Sequence, residues 1–378
     1  MRSNRNILRN KGKLFCYLIG ITCFVFLYAS LSFACSQYEN GYELGSLAAS
    51  AALKLMKTSH PKGNIIAITN AGYAELNGQS TESCLDGLSD VTGASRGKNT
   101  LIEIQSHYAK ILWFAFYHRP SGMCAYMEVG QEANLTSPIS KKLYDTFSLV
   151  SVEKIQAAHL YKNAVEYNDK FNNKKVFGEN AFRIVTIANA LDAGAPTYAV
   201  RAFELHDHYC PGITSGIIMV NYLKKYFPSS SYFVQAIQPW CKEDAFLTLL
   251  NSTPGKSGFA VTYPTAEDMA KWKQGFESVT NIFYRQDEIT KKWQGQLIGF
   301  SFNKVYAAHT FPDYGTNSIM TKLYMDLWFL EKIDQIGWFV DQGILIPYKE
   351  FDLPQGETPK DWARPGVDPM KKLGLIQE

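Results

Sequence analysis

His206-Asp207-His208-Tyr209-Cys210-Pro211-Gly212 places two imidazoles and a thiol at every second position, then stops at a Pro-Gly break. In an extended backbone, side chains at i, i+2 and i+4 share one face. Histidine nitrogen and cysteine sulfur on one face suit Zn²⁺ or another borderline-soft divalent metal. Past the break the apolar residues take up helical spacing, from about Thr214 to Phe227, so Cys210 stands where a helix begins. The N–H groups and dipole at that end favour a thiolate, which is a better ligand and a better nucleophile than the thiol. No other stretch of the chain is so chemically directed.

Working outward from this run, the chain reads as one unit written twice. Downstream come a strand from Tyr232 to Ile237, a helix from Lys242 to Leu250, and the turn Thr253-Pro254-Gly255-Lys256. Strands follow at Phe259 to Tyr263, Val279 to Arg285 and Gln296 to Phe302. Upstream the same order holds. A helix from Tyr42 to Lys57 precedes a buried strand at Ile65 to Ile68 and a helix from Ser83 to Val91. Three strands then run over Leu101 to Gln105, Ile111 to Tyr117 and Cys124 to Val129, the last two joined by the turn Arg119-Pro120-Ser121-Gly122. Gly41 and Gly45 match Gly212 and Gly216, Asp86 matches Asp244, and Gly97-Lys98 matches Gly255-Lys256. The fold class is therefore α+β, two α-β-α-β-β-β units.

The expected organisation is a targeting segment over 1–34, a first unit over 35–130, a helical connector over 131–195, a second unit over 196–312, and a C-terminal helix and tail over 313–378. The connector reads as helices Val152 to Asn172 and Glu179 to Asp192. The last segment reads as a helix from Ser318 to Val340, then a surface coil from Pro354. In the first unit Cys35, Gln37 and Glu39 fall in the slots of His206, His208 and Cys210, so the frame is kept without the ligand set.

A chain of 378 residues with 46% apolar and 14% aromatic side chains has the material for two globular cores. A net charge of +3, with no basic stripe interleaved with aromatics, excludes nucleic acid as the expected partner. Arg2, Arg5, Arg9, Lys11 and Lys13 precede an apolar run from Leu14 to about Leu31, and Ser32-Phe33-Ala34 is a signal-peptidase pattern. The expectation is an exported protein, periplasmic or otherwise extracytoplasmic, touching the membrane only through this segment. The length of the run makes a retained anchor the competing reading, and Cys35 after Ala34 raises lipidation. Of the seven cysteines, Cys84, Cys124, Cys210 and Cys241 lie well inside the mature chain, where export allows disulfides.

Cys241 is the natural fourth group for His206, His208 and Cys210, because it follows the strand that neighbours the motif helix. Four donors would close a tetrahedral site, whereas three would leave a position for water or substrate. A Cys210–Cys241 disulfide beside a solvated His pair is the alternative. Asp207 and Asp244 are candidates to orient a ligating imidazole, each with a cap or a solvated surface place as the alternative, and for Asp244, which opens a helix, the cap is the favoured reading. Thr253 and Lys256 lie on a turn that fails the phosphate-loop pattern, since Leu250 occupies its first glycine position. Lys256 is nevertheless a candidate for a small anionic ligand. His60, His107, His118, His159 and His309 have no partner spacing, and no catalytic residue is assigned.

The second unit resembles the FmdE family, named for a protein associated with formylmethanofuran dehydrogenase. The family pattern HGHxCPG-x3-G, C-x2-DA, T-x-GK is met by His206 to Gly212 with Gly216, by Cys241-Lys242-Glu243-Asp244-Ala245, and by Thr253-Pro254-Gly255-Lys256. The resemblance implies an α-β-α-β(3) sandwich with a mixed sheet, in which the domain is similar to that of glyceraldehyde-3-phosphate dehydrogenase. It also implies a metal held by the His/Cys motif, and pairing of domains, here as an intramolecular pseudo-dimer with a degenerate first copy. Three departures stand out. Asp207 replaces a glycine, no cysteine follows Cys241 to build a zinc ribbon, and the export signal argues against carrying over dehydrogenase activity. The expected function is a carrier or sensor of a transition metal or metallo-cofactor. The alternatives are a metal-dependent enzyme with an open coordination position and a structural protein with oxidised cysteines.

Overall fold

The computed structural model describes residues 36–58 and 63–377. The targeting segment with Cys16 and Cys23, and also Cys35 and His60, lie outside them. The chain divides into two compact units. One holds the described residues up to Leu101 with Ser106–His118 and Ala125–Val152; the other holds Ile102–Gln105, Arg119–Cys124 and the chain from Glu153 onward. No helix among the described residues is long and apolar enough to cross a membrane.

The fold is α+β with two five-stranded mixed sheets. The first contains β1 (Ile65–Thr69), β4 (Leu101–Glu103), β5 (Trp113–His118), β6 (Met123–Val129) and β7 (Phe147–Lys154), in the order β4-β1-β5-β6-β7. A separate hairpin pairs β2 (Glu75–Leu76) with β3 (Gln79–Ser80). The second sheet contains β8 (Phe233–Ala236), β9 (Phe259–Val261), β10 (Val279–Gln286), β11 (Trp293–Phe300) and β12 (Leu345–Asp352), in the order β12-β11-β10-β8-β9. Read from β9, this order corresponds strand for strand with the first. β8 and β9 run parallel, so their connection must cross over, and the Lys242–Leu249 helix supplies the crossover. β10 is antiparallel to both β8 and β11, and β11 to β12.

Period-2 alternation divides the core of the second unit. Phe283 faces a cluster with Ile218, Leu223 and Phe246, to which Phe329 and Phe339 also belong. Ile282 and Tyr284 face the other side, where Trp362, Met370 and Leu375 cover the sheet. The tail expected as surface coil is therefore part of the core. It carries two short helices, Pro359–Trp362 and Pro369–Lys372, because its few large apolar residues fall where β10 and β11 need a cover.

Each sheet has a fifth strand that the sequence reading did not anticipate. β7 and β12 are edge strands with mostly half-exposed residues, and β12 contains Pro347. Edge strands tolerate polar residues and proline, which weakens the apolar alternation. The connector also differs from expectation. Val152 lies within β7, which runs to Lys154; the helices Ala157–Lys162 and Ala164–Asn168 follow, and a π-helical turn spans Asp169–Asn173. Ala181–Asp192 is helical as expected, whereas the Thr197–His206 helix was unforeseen. The single helix expected over Ser318 to Val340 is two, Ile319–Lys332 and Ile336–Asp341.

Candidate metal centre

His206 to Cys210 are not an extended run. His206 is the last residue of the Thr197–His206 helix, and Asp207 caps it in the left-handed region at φ 65°. The chain then reverses, and Cys210 in extended conformation is the N-cap of the Pro211–Tyr226 helix. Proline at the first helical position has no N–H to lose there and a φ already suited to a helix, which favours the start of the second helix. The shared face expected from a strand is thus made by a helix-turn-helix corner. Asparagine and aspartate are the non-glycine residues best suited to a left-handed C-cap, which explains how Asp207 fills the place of a glycine.

His206, His208 and Cys210 converge, with a ligand atom of each within 4.8 Å of the others. His206 Nε2 lies 3.6 Å from Cys210 Sγ. Both imidazoles are held from behind by carboxylates. His206 Nδ1 is 2.7 Å from Asp244 Oδ2, and His208 Nδ1 is 2.6 Å from Asp207 Oδ1. Asp207 is fixed in turn by Arg183, whose guanidinium donates to Oδ2 at 2.7 Å. Burial works against its charge, but the bonds from His208 and Arg183 hold the Asp207 carboxyl below the usual range. A carboxylate on one ring nitrogen fixes the tautomer and leaves the other nitrogen for a metal.

Cys241 stands beside this trio as the N-cap residue of the Lys242–Leu249 helix, near enough to act on the charge of both Cys210 and His206, while the group whose ligand atoms converge consists of the other three. Its approach depends on Gly212. A Cβ there would lie 2.8 Å from Cys241 Cβ and 2.9 Å from its Sγ. One turn on, a Cβ at Gly216 would lie 2.8 Å from that of Ala245, so the two glycines let the helices touch backbone to backbone. Among the described residues Cys84, Cys124, Cys210 and Cys241 are free thiols, the first three buried. Bonds from Cys210 and then His206 pull the Cys241 thiol well below its ordinary range. The bond to Cys241, together with burial, pushes Cys210 far up, so Cys210 keeps the proton. Burial alone would lower His206, but its bonds to Asp244 and Cys241 raise it to about 9.

Three features of the surroundings had no sequence signal. Lys242 is fully buried next to Cys241, with its ammonium 2.8 Å from Glu243 Oε1, 2.5 Å from the Gln238 carbonyl and 3.6 Å above the Trp240 ring. Burial lowers Lys242 to about 8 and pushes Glu243 up. Glu243 also accepts from Trp240 N at 2.8 Å and Asn281 Nδ2 at 3.2 Å. Tyr209, fully buried, anchors the corner by donating to the Asp326 carbonyl at 3.0 Å. The Asp326 side chain is also fully buried, neither carboxyl oxygen has a hydrogen-bond partner, and burial holds it well above the carboxylate range.

Thr253 and Lys256 serve elsewhere. Thr253 caps the turn Pro254–Lys256 by accepting from Lys256 N, and the exposed Lys256 ammonium bonds Asn251 Oδ1. The corresponding turn Arg96–Lys98 is capped in the same way by Ser95, and each is followed by a left-handed residue, Asn99 or Ser257. The helix over 36–55 contains Gln37 and Glu39, and a Cβ at Gly41 would meet Ser83, the position corresponding to Cys241. His159 is engaged with Tyr167 and Asn163, and His309 stacks on Trp328.

The family model FmdE, described as "FmdE, Molybdenum formylmethanofuran dehydrogenase operon", matches residues 205–314. The matched segment contains His206, His208, Cys210 and Cys241 together with β8 to β11. No curated protein matches the chain.

Proposed function

We propose that this chain is an exported metal-binding protein of FmdE type, a carrier or sensor with one centre in its second unit. The ligands are His206, His208, Cys210 and Cys241, and the metal is Zn²⁺ or a similar divalent transition ion. The observation that carries the reading is the pair of carboxylate-backed imidazoles facing Cys210. A pair of solvated surface histidines has no need of two separate carboxylate supports, whereas a metal-bearing imidazole does. Two nitrogen and two sulfur donors form a closed tetrahedral set, which favours holding a metal over catalysis on it. The shared strand order, the Gly-x3-Gly contacts and the matching capped turns support descent of both units from one. In that reading the first copy has Ser83 in place of the Cys241 ligand, and the pair acts as an intramolecular pseudo-dimer.

Metal analysis and X-ray absorption on the purified chain test the ligand set. The expected result is one metal per chain with two nitrogen and two sulfur donors, and loss of tight binding in His208→Ala. Metal-free protein with a Cys210–Cys241 disulfide would overturn the reading. Three protein donors and a water would replace the carrier with a metal-dependent enzyme.

A further inference from the structure

The chain carries two Asn-x-Ser/Thr triplets, Asn134-Leu135-Thr136 in the first unit and Asn251-Ser252-Thr253 in the second. In a chain that leaves the cytoplasm, such a triplet on an accessible loop is an acceptor for an N-linked glycan. The fold places the two triplets in opposite circumstances.

Asn134 lies in the irregular segment between β6 and the Leu143–Thr146 helix. Leu135 is fully buried and pins this segment, with its carbonyl accepting from Asn40 Nδ2 at 2.7 Å. Asn77 Nδ2 holds the other side by donating to the Ala133 carbonyl at 3.0 Å. Around the buried leucine the chain is accessible: Thr136, Ser137 and Pro138 are exposed and Asn134 is half-buried. The Asn134 amide oxygen accepts from the Thr136 N–H at 2.8 Å and from the Thr136 hydroxyl at 2.9 Å. This Asx turn closes over two residues, so it needs no tertiary contact to form. Two donors on the oxygen draw electron density out of the amide and ease the loss of a proton from Nδ2. No group among the described residues accepts from that nitrogen.

Asn251 is held differently. It is exposed, but its backbone is left-handed at φ 55°, and its amide oxygen accepts from the Lys256 ammonium instead of from Thr253. Ser252 is buried and donates to the Tyr232 carbonyl at 3.1 Å. The Thr253 hydroxyl caps the Pro254–Lys256 turn, and Pro254 keeps Thr253 extended. The hydroxyl that would activate Asn251 is committed to the turn.

We propose that Asn134 is an N-glycosylation site and that Asn251 is not. Nδ2 of Asn134 attacks the anomeric carbon of an oligosaccharide carried on a polyprenyl phosphate, in the active site of a membrane-bound transferase. The C–N bond forms as the C–O bond to the phosphate breaks. The polyprenyl phosphate leaves with the bonding electrons, and the amide proton passes to a base of the transferase. This rests on the export part of the reading above.

The test is glycopeptide mass spectrometry on the full chain purified from the cells that naturally make it, with cytoplasmic and exported fractions kept apart. The expected result is an exported chain with a glycan on Asn134 and a bare Asn251. Asn134→Gln and Thr136→Ala, made in the same cells, are expected to lose the glycan, while Thr136→Ser and Asn251→Gln keep it. An exported chain with Asn134 bare, a glycan on Asn251, or a glycan retained in Thr136→Ala would overturn the proposal and leave export standing. A chain confined to the cytoplasm would overturn the export reading, and the proposal with it.

Discussion

Asp207 shows how one side chain takes on both structure and chemistry. A glycine there would satisfy the left-handed turn but could not hold the His208 ring or receive Arg183. Asp207→Gly should therefore preserve the corner and weaken metal binding by about 10–100-fold, as loss of an outer-shell carboxylate commonly does. Asp244→Asn should cost a similar factor at His206, and competition against a chromophoric chelator reads both. Affinity unchanged in both variants would remove the carboxylates from the account. The protons provide a second test. At pH 7 the metal-free protein keeps a proton on Cys210, while His206, raised to about 9, remains charged. A metal bound by all four residues must displace both, so about two protons should appear per ion in calorimetry across buffers of different ionisation enthalpy. The raised His206 stabilises the metal-free fold fully below its unfolded pKa of about 6.5, and that contribution is lost as pH rises through about 9. Its size is roughly 1–3 kcal/mol after allowance for partial exposure. Denaturant titrations of metal-free wild type and His206→Asn should differ near pH 6 and converge near pH 10.

At the scale of elements, the centre depends on two helices meeting without side chains between them. Gly212→Ala places a methyl against both the Cβ and the Sγ of Cys241, so the Lys242–Leu249 helix must shift. The expected cost is about 1–3 kcal/mol of stability, with a loss of metal affinity larger than that of Gly255→Ala, where a Cβ meets open space. Equal behaviour of the two variants would show that the contact does not set the site. Beneath the same helix end, the buried Lys242–Glu243 pair is weak evidence of stabilisation in itself, because two desolvated charges roughly offset their attraction. Breaking it is another matter. Lys242→Ala should destabilise by about 3–5 kcal/mol, while Lys242→Met with Glu243→Gln should recover most of that. If the double variant were no better than the single one, the unpaired charge would not be the cause.

At the scale of the whole molecule, the candidate ligands belong to one unit only, so metal should stabilise the units unequally. A ligand at a thousandfold its dissociation constant adds about 4 kcal/mol to the state that binds it. A chelator should lower the calorimetric transition of the second unit and leave that of the first in place; a uniform shift would contradict a single centre. The sequence alone was sufficient for the α+β class, for most of the helices and strands of both units, and for singling out His206, His208 and Cys210 as a possible metal-binding group. These depend on local matters: periodicity, a Pro-Gly break, and donors close together along the chain. Tertiary structure decided the rest. It turned the expected extended run into a corner between two helices, brought the partners of a buried Lys242 around it, left Asp326 without one, and engaged Lys256 with Asn251. It also added β7 and β12, whose pairing at sheet edges needs little apolar alternation. The physical reason is common to all of these. Burial and pairing depend on which distant residues pack together, and a side chain such as Lys242 or Asp326 has no local pattern to distinguish a solvated place from a sealed one.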